Sequence, residues 1–372
     1  MNKRKRDQQE VVEGIGMGPD MLWQTPAIPP HPHDYVFRNG IRYVKPYYFE
    51  FIAHVKNRWA GKTIVDLFAQ EFKGRPYEYY VNAVKCGRIQ VDGEKVPVSY
   101  IVKSSQKISH FVHRHEPPVM ACEVPILQKE LDVLTVCKPA SVPVHPCGQY
   151  RKNTVVGILE AEHGLAPVFP VHRLDRLVSG LLILARSASK ADIFRQQIEG
   201  GLVRKKYIAR VVGEFPEDEL RDSAKGKTAS TKFTRICSNG AQSIVLCEPI
   251  TGRTHQIRVH LKHSGHPIAN DMLYISDETV DRWSRGSSAD RSACTPDNAL
   301  TSSIDEKVVN DGEENSNVGF SIDPMCTNCP NLAPKGYDTD EEGLWLHCFQ
   351  YSGPDWTYEC PYPDWAKLSQ KT

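Results

Sequence analysis

Leu181-Leu182-Ile183-Leu184-Ala185 is an unbroken apolar run, preceded by Gly180 and followed by a helical stretch from Ser187 to Glu199 that Gly200-Gly201 closes. A strand with one wet face alternates apolar and polar residues, so a run without alternation belongs to a strand covered on both faces. A chain that contains it must supply a layer for each side. The strand-like segments around it, Asp132 to Cys137 and the alternating Lys206 to Val212, make the larger unit a mixture of α and β.

At 372 residues the chain has room for two domains and an additional segment. Its formal net charge of +1 is unevenly distributed. Ile275 to Glu342 holds 15 acidic and 5 basic residues, which leaves 41 basic and 30 acidic residues elsewhere. The acidic stretch is rich in Ser, Asp and Asn and has too little apolar matter to offset the entropy of ordering. Residues 276–342 are therefore predicted to form a disordered insertion. The basic remainder suits a polyanion such as RNA and equally suits a solvated surface. No apolar run is long enough to cross a bilayer. The 11 scattered cysteines do not form a disulfide scaffold, and no apolar leader follows Lys3-Arg4-Lys5-Arg6. These features predict an intracellular protein with reduced thiols, cytoplasmic or nuclear, with an organelle left open.

Residues 1–45, with Pro26, Pro29, Pro30 and Pro32 among polar neighbours, are predicted to be a flexible tail. Residues 46–118 form a separate unit. Apolar positions 64, 65, 68, 69 and 72 predict one helix, Glu78 to Lys85 predicts a second, and Arg88 to Val96 reads as a hairpin around Asp92-Gly93. Two helices and a tight hairpin with basic ends resemble the S4-like RNA-binding module. Pro117-Pro118 marks the linker.

The chemistry centres on His172-Arg173-Leu174-Asp175-Arg176. Guanidinium groups on either side of a carboxylate favour its charged form, which fits a nucleophile and equally fits an ion-pair cluster that pins a loop. Three further segments accompany it: Lys138-Pro139-Ala140-Ser141-Val142-Pro143-Val144-His145-Pro146, Lys205-Lys206-Tyr207-Ile208-Ala209 and Gly252-Arg253-Thr254-His255-Gln256-Ile257-Arg258. In this order the four segments closely resemble the RluA-type RNA pseudouridine synthases. The resemblance runs over about 124–275 and resumes near 344–365.

The resemblance implies an α+β fold whose catalytic domain, 119–275 and 343–365, has a mixed, mainly antiparallel sheet. It implies isomerisation of uridine in RNA, with Asp175 as the catalytic aspartate. Tyr207 would pack on the flipped base, and Arg258 would pair with the aspartate. Arg173 would fill the space the nucleotide vacates, with Arg176 beside it as an RNA contact. No cofactor and no metal are implied. The partner is RNA, with tRNA suggested by Lys45-Pro46-Tyr47-Tyr48-Phe49 and Gly74-Arg75-Pro76, and the chain is expected to act as a monomer. The alternative is a catalytically inactive RNA-binding protein or tRNA-folding chaperone. A fused zinc deaminase is excluded because His-x-Glu and Pro-Cys-x-x-Cys are absent.

Three positions depart from the family pattern: Ser141 and Asn270 stand where glycine is usual, and Val178 where threonine is common. Cys326-Thr327-Asn328-Cys329 has the spacing of half a zinc site. Its nearest cysteine partners in sequence, Cys348 and Cys360, lie at no standard spacing, so no metal is predicted.

Overall fold

The computed structural model describes residues 25, 28–72, 75–222, 228–275, 319–334 and 342–368. The first strands are a hairpin, β1 (Tyr35–Arg38) and β2 (Ile41–Val44), which turns through Asn39 and Gly40 with both at positive φ. This corrects the end of the flexible tail predicted over 1–45, because Tyr35 and Val44 are core residues; residues 1–24, 26 and 27 of that prediction lie outside the described residues. Strands of four residues are too short to show a period among prolines, and their order comes from what they pack against.

The 46–118 unit runs β3 (Tyr47–His54), α1 (Ile64–Glu71), α2 (Tyr77–Lys85), β4 (Ile89–Val91), β5 (Glu94–Lys95) and β6 (Lys107–Arg114). Thr63 starts α1 by accepting a hydrogen bond from the Asp66 amide at 3.1 Å. Asp92 and Gly93, both at positive φ, make the predicted hairpin turn. The sheet order is β3-β6-β4-β5, and the helices supply Leu67, Phe68, Tyr80 and Val84 to its own core.

A buried carboxylate helps to fasten this unit to the rest of the chain. Glu116, 1% exposed, accepts from the Tyr47 hydroxyl at 2.6 Å and from the backbone amides of Arg151, Lys152 and Asn153 at 2.8–3.0 Å. Bonds from three consecutive amides satisfy a charge that burial alone would heavily penalise.

The larger unit follows: β7 (Val119–Met120), which adds to the β1-β2 hairpin, then β8 (Ile126–Lys129), β9 (Val133–Lys138), α3 (Val155–His163), β10 (Phe169–Pro170), β11 (Ser179–Ala185), α4 (Ala188–Glu199), β12 (Arg204–Val212), β13 (Asp218–Asp222), β14 (Ser230–Ser238), β15 (Gln242–Pro249), α5 (Gln256–His263), α6 (Met272–Ile275), β16 (Leu346–Ser352) and β17 (Thr357–Glu359). The main sheet runs β13-β14-β15-β12-β16-β11-β9-β8, and every pairing in it is antiparallel except β11 with β16. The α+β, mainly antiparallel architecture is the one the sequence implied. No described helix is long and apolar enough to cross a membrane.

The apolar run lies in β11 and is buried on both faces, as predicted. Leu181 and Ile183 face a cluster with Tyr207, Ala209, Val211 and Leu346. Leu182 and Leu184 face the opposite one, with Val136, Val155, Ile158, Tyr35 and Val44. The hairpin at the chain's beginning therefore helps form the second layer that β11 requires.

The acidic insertion is partly corrected. Residues 319–334 are packed against the 46–118 unit, with Asp323 and Leu332 buried, and the remainder of 276–341 lies outside the described residues. Asn270, one of the departures from the family pattern, bridges to the returning chain. Its Nδ2 donates to the Gly343 carbonyl at 2.8 Å and its Oδ1 accepts from the Trp345 amide at 2.9 Å. Ser141, another departure, holds φ of +69° and accepts from the Met120 amide at 2.7 Å, so a hydrogen bond accompanies a backbone conformation that glycine favours.

Gly180 sits at φ +115° where β11 meets β16, and an added methyl would strike the Cys348 carbonyl and lie 2.7 Å from its amide nitrogen. Gly180→Ala should therefore cost about 2–3 kcal/mol in urea unfolding. Gly240→Ala, at φ +83° with open space around it, should cost about 1–2 kcal/mol from backbone strain alone. Equal losses in the two variants would show that the β11–β16 approach is not tight.

Candidate active site

The segment between β10 and β11 carries Asp175 into a cleft of about 400 Å³. Its walls come from five places: the 172–178 loop, Lys205 and Tyr207 of β12, Pro249 at the end of β15, the 251–258 turn into α5, and Leu346 and Tyr351 of β16. The cleft thus unites the Asp175 loop with two of the three accompanying segments. The Asp175 side chain is 35% exposed, so its carboxylate is open to a ligand.

The third segment lies beneath the loop. Lys138, fully buried at the end of β9, donates through Nζ to the carbonyls of Pro139 and Arg176, each at 2.9 Å. Burial pushes its pKa down to about 7, the Arg176 charge pushes it further in the same direction, and the Asp175 charge pulls it up. Lys138 is therefore a buried donor that fixes the path of the loop and feels the aspartate's charge. The sequence offered a signal for it in a lysine closing an otherwise apolar strand.

Arg258 corrects the sequence reading. It lies on α5, 2% exposed, and forms a two-pronged pair with Asp271: Nε to Oδ2 at 2.6 Å and Nη2 to Oδ1 at 2.8 Å. Its link to Asp175 runs through His255. Nη1 of Arg258 lies 3.0 Å from His255 Nε2, and that nitrogen lies 3.7 Å from Asp175 Oδ2. A guanidinium can only donate, so His255 Nε2 accepts from it, and Nδ1 carries the proton toward the Tyr274 hydroxyl at 3.0 Å. His255 adopts φ +54° to cap α5, which places its ring between arginine and aspartate. Asp271 and His255 were visible in the sequence without roles, because an ion pair across 13 residues leaves no local pattern.

The two remaining arginines separate. Arg173 is exposed at the cleft, where the resemblance placed an RNA-facing residue. Arg176 turns back and donates from Nη1 to the Ser141 carbonyl at 3.2 Å, a contact that braces the Asp175 loop. That contact gives it the loop-pinning role that the sequence had left open for the Arg–Asp–Arg cluster.

Tyr207 forms the far wall and is 9% exposed. Its hydroxyl meets that of Tyr351 at 3.1 Å, and Tyr351 also stacks on His172 with ring centres 4.2 Å apart. Burial and the Tyr351 neighbour hold the Tyr207 phenol well above its ordinary pKa. Tyr207 therefore works as a neutral wall with a hydroxyl, not as a phenolate. Tyr351, missed in the sequence, stands on a strand that returns only after the acidic insertion. Lys205 and Arg253 add positive charge to the cleft lining.

The family described as RNA pseudouridylate synthase matches residues 132–263. RNA pseudouridine synthase 7 of Oryza sativa subsp. japonica is 62% identical, over 94% of this chain and 96% of that one. RNA pseudouridine synthase 7 of Arabidopsis thaliana is 59% identical, over 98% of this chain and all (100%) of that one. The mitochondrial tRNA pseudouridine(32) synthase of Saccharomyces cerevisiae is 34% identical, over 90% of this chain and 79% of that one.

His347 ties the loop's exit to β16, with Nδ1 2.9 Å from the Ser179 hydroxyl, and it is 3% exposed. Burial pushes its pKa down to about 4. Between pH 6.5 and 4 the unfolded chain takes up a proton that the folded His347 refuses, so stability falls as the pH drops. The loss from this group should reach about 2 kcal/mol at pH 5. His347→Asn keeps an acceptor near Nδ1 and removes the titration. Urea unfolding at pH 7 and pH 5 should show a smaller acid loss in the variant, and an unchanged loss would show that His347 does not titrate as its burial requires.

Proposed function

Because the chain belongs to the RNA pseudouridine synthase family, we propose that it isomerises uridine in tRNA, with the Asp175 carboxylate acting at the sugar carbon. The carrying observation is the position of Asp175. Its carboxylate is open to a cleft whose other walls are a neutral tyrosine and a basic rim. The name of the yeast relative supports tRNA as the substrate class.

The reaction breaks the N1–C1′ bond, turns the uracil and joins C5 to C1′. C5 loses a proton and N1 gains one, so nothing is added overall. The chain supplies three things. Asp175 provides negative charge beside C1′, where positive character develops as the glycosidic bond opens, whether or not it bonds to that carbon. Tyr207 gives the detached base a flat apolar wall, and its hydroxyl, shared with Tyr351, stays protonated. The Asp271–Arg258–His255 chain fixes the imidazole beside Asp175. A cleft of about 400 Å³ admits a single nucleotide and not a base pair within its stack, so the target must be flipped or unpaired. Arg173, exposed at the mouth, would occupy the gap left in the RNA.

Tritium release from tRNA labelled at uracil C5 tests the reading. Asp175→Asn should reduce release by about a thousand-fold or more while tRNA binding persists. Release by the variant at wild-type rate would remove Asp175 from the chemistry. Binding without release by the wild type, on tRNA, rRNA and mRNA alike, would favour the inactive RNA-binding protein.

The 46–118 unit is assigned to RNA binding as an S4-like module, on the strength of its helices, its hairpin and its exposed lysines. Neutralising Lys85, Lys95 and Lys103, all exposed, should weaken tRNA binding. It should also lower the slope of log affinity against log salt by about 1 for each phosphate no longer neutralised, with turnover of bound tRNA unchanged. An unaltered salt slope would place the RNA elsewhere.

A further inference from the structure

His113 lies near the end of β6 and His115 directly follows that strand, and Cys326 and Cys329 lie in the described part of the acidic insertion, 319–334. Although His113 and Cys329 are 216 positions apart, the fold brings all four together. One ligand-type atom from each, nitrogen or sulfur, lies within 4.8 Å of every other. Residues two apart on a strand point to the same side, which is why both imidazoles face the same space. Both histidines are buried, at 4% and 5% exposure.

Among three of the four groups, the individual separations are those of a ligand shell. His113 Nδ1 and His115 Nε2 are 3.2 Å apart, and Cys329 Sγ lies 3.2 Å from the first and 3.5 Å from the second. A tetrahedral zinc with bonds of about 2.3 Å to sulfur and 2.0–2.1 Å to nitrogen sets its ligand atoms about 3.3–3.6 Å apart for these pairs. The observed distances differ by a few tenths of an ångström. Cys-x-x-Cys opposite His-x-His supplies two thiolates and two imidazoles, a donor set that favours zinc over the hard oxygen-seeking cations.

The segment bearing the cysteines is held in place by contacts that do not involve them. Asp323 and Arg88, both buried, pair with Nη2–Oδ1 at 2.8 Å and Nη1–Oδ2 at 2.5 Å. Arg75 donates to the Thr327 hydroxyl, and the Phe320 ring packs over His113. The partners anticipated from sequence proximity, Cys348 and Cys360, lie elsewhere, in the hydrophobic core of the catalytic sheet.

We propose that His113, His115, Cys326 and Cys329 bind a structural zinc ion that ties residues 319–334 of the insertion to the 46–118 module. The site is separate from the catalytic cleft, since none of the four residues lines it. It departs from the sequence expectation that the chain holds no metal, and it does not depend on the proposed reaction.

The test is metal analysis of the full chain, expressed with zinc and passed through gel filtration, followed by replacement with cobalt. The expected result is about one zinc per chain, and a cobalt form showing the intense visible bands of tetrahedral coordination and thiolate-to-cobalt charge transfer. Cys329→Ser should lower bound zinc to under about a tenth and abolish both spectral signatures, whereas Cys86→Ser, an exposed thiol of the same module, should keep them. A wild-type protein without zinc and without cobalt bands overturns the proposal. So does a Cys329→Ser variant that retains them, or a Cys326–Cys329 disulfide in freshly prepared protein. If Cys329→Ser does not fold, the wild-type cobalt spectrum decides by itself: bands support the site and their absence overturns it.

Discussion

The position of Asp175 depends on the place where β11 and β16 run side by side at Gly180 and Cys348. Among the described residues this is the one parallel pairing in the main sheet. It brings a strand from beyond the insertion against the strand that leaves the aspartate loop. The approach is close enough that only a glycine fits. Three further contacts extend the junction: Ser179 to His347, the Leu344 amide to the Leu177 carbonyl at 2.9 Å, and Asn270 to Gly343 and Trp345. From that junction Tyr351 reaches Tyr207 and His172, and the walls of the cleft close around the carboxylate. If the two strands separated, Asp175 and Tyr351 would stand on unrelated segments.

Electrostatics around the site follow from which charges are buried and which are left open. Arg258 and Asp271 are each 2% exposed and neutralise one another with two short bonds. Such a pair contributes geometry more than stability, because desolvating two charges offsets most of their attraction. Here the geometry holds one imidazole between an arginine and the open aspartate. Lys138 is enclosed in a comparable way and donates to two carbonyls. Asp175, by contrast, keeps its carboxylate accessible. A buried, paired frame beside an accessible carboxylate is the arrangement expected where charge develops during reaction.

Several elements were legible because their signals are local. Helices α1 and α2 showed apolar residues at helical spacing, and α4 began at Ser187 and ended at paired glycines. The Asp92-Gly93 turn named its own hairpin, and β11 declared its double burial. Strands β3 and β6 did not. Tyr47–His54 is buried over its first three residues and mostly exposed thereafter, so it neither alternates nor forms a uniform run. The β1–β2 hairpin was hidden among prolines, and its burial depends on α3 and β11, far away in the chain. At the site, Asp175, Tyr207 and the arginines could be named from motifs, but the partner of Arg258 and the bracing role of Arg176 could not. Each of those depends on which carboxylate or carbonyl comes within hydrogen-bonding reach after folding.

The sequence by itself determined the mixture of α and β, the strand that needs cover on both faces and the order of the four motif segments, whose resemblance to a known family implied the α+β class and the chemistry. These are properties of short segments, written in periodicity, turn residues and motif spacing, and they survive without knowledge of what each segment touches. Tertiary structure alone decided that Arg258 serves Asp271, that Tyr351 joins the cleft, that the chain's beginning completes the core and that two histidines meet two cysteines from distant parts of the chain. Those are pairings between distant residues. Their free energy exists only once the chain has closed the long loops that separate them, and no local pattern records which pairings repay that entropy.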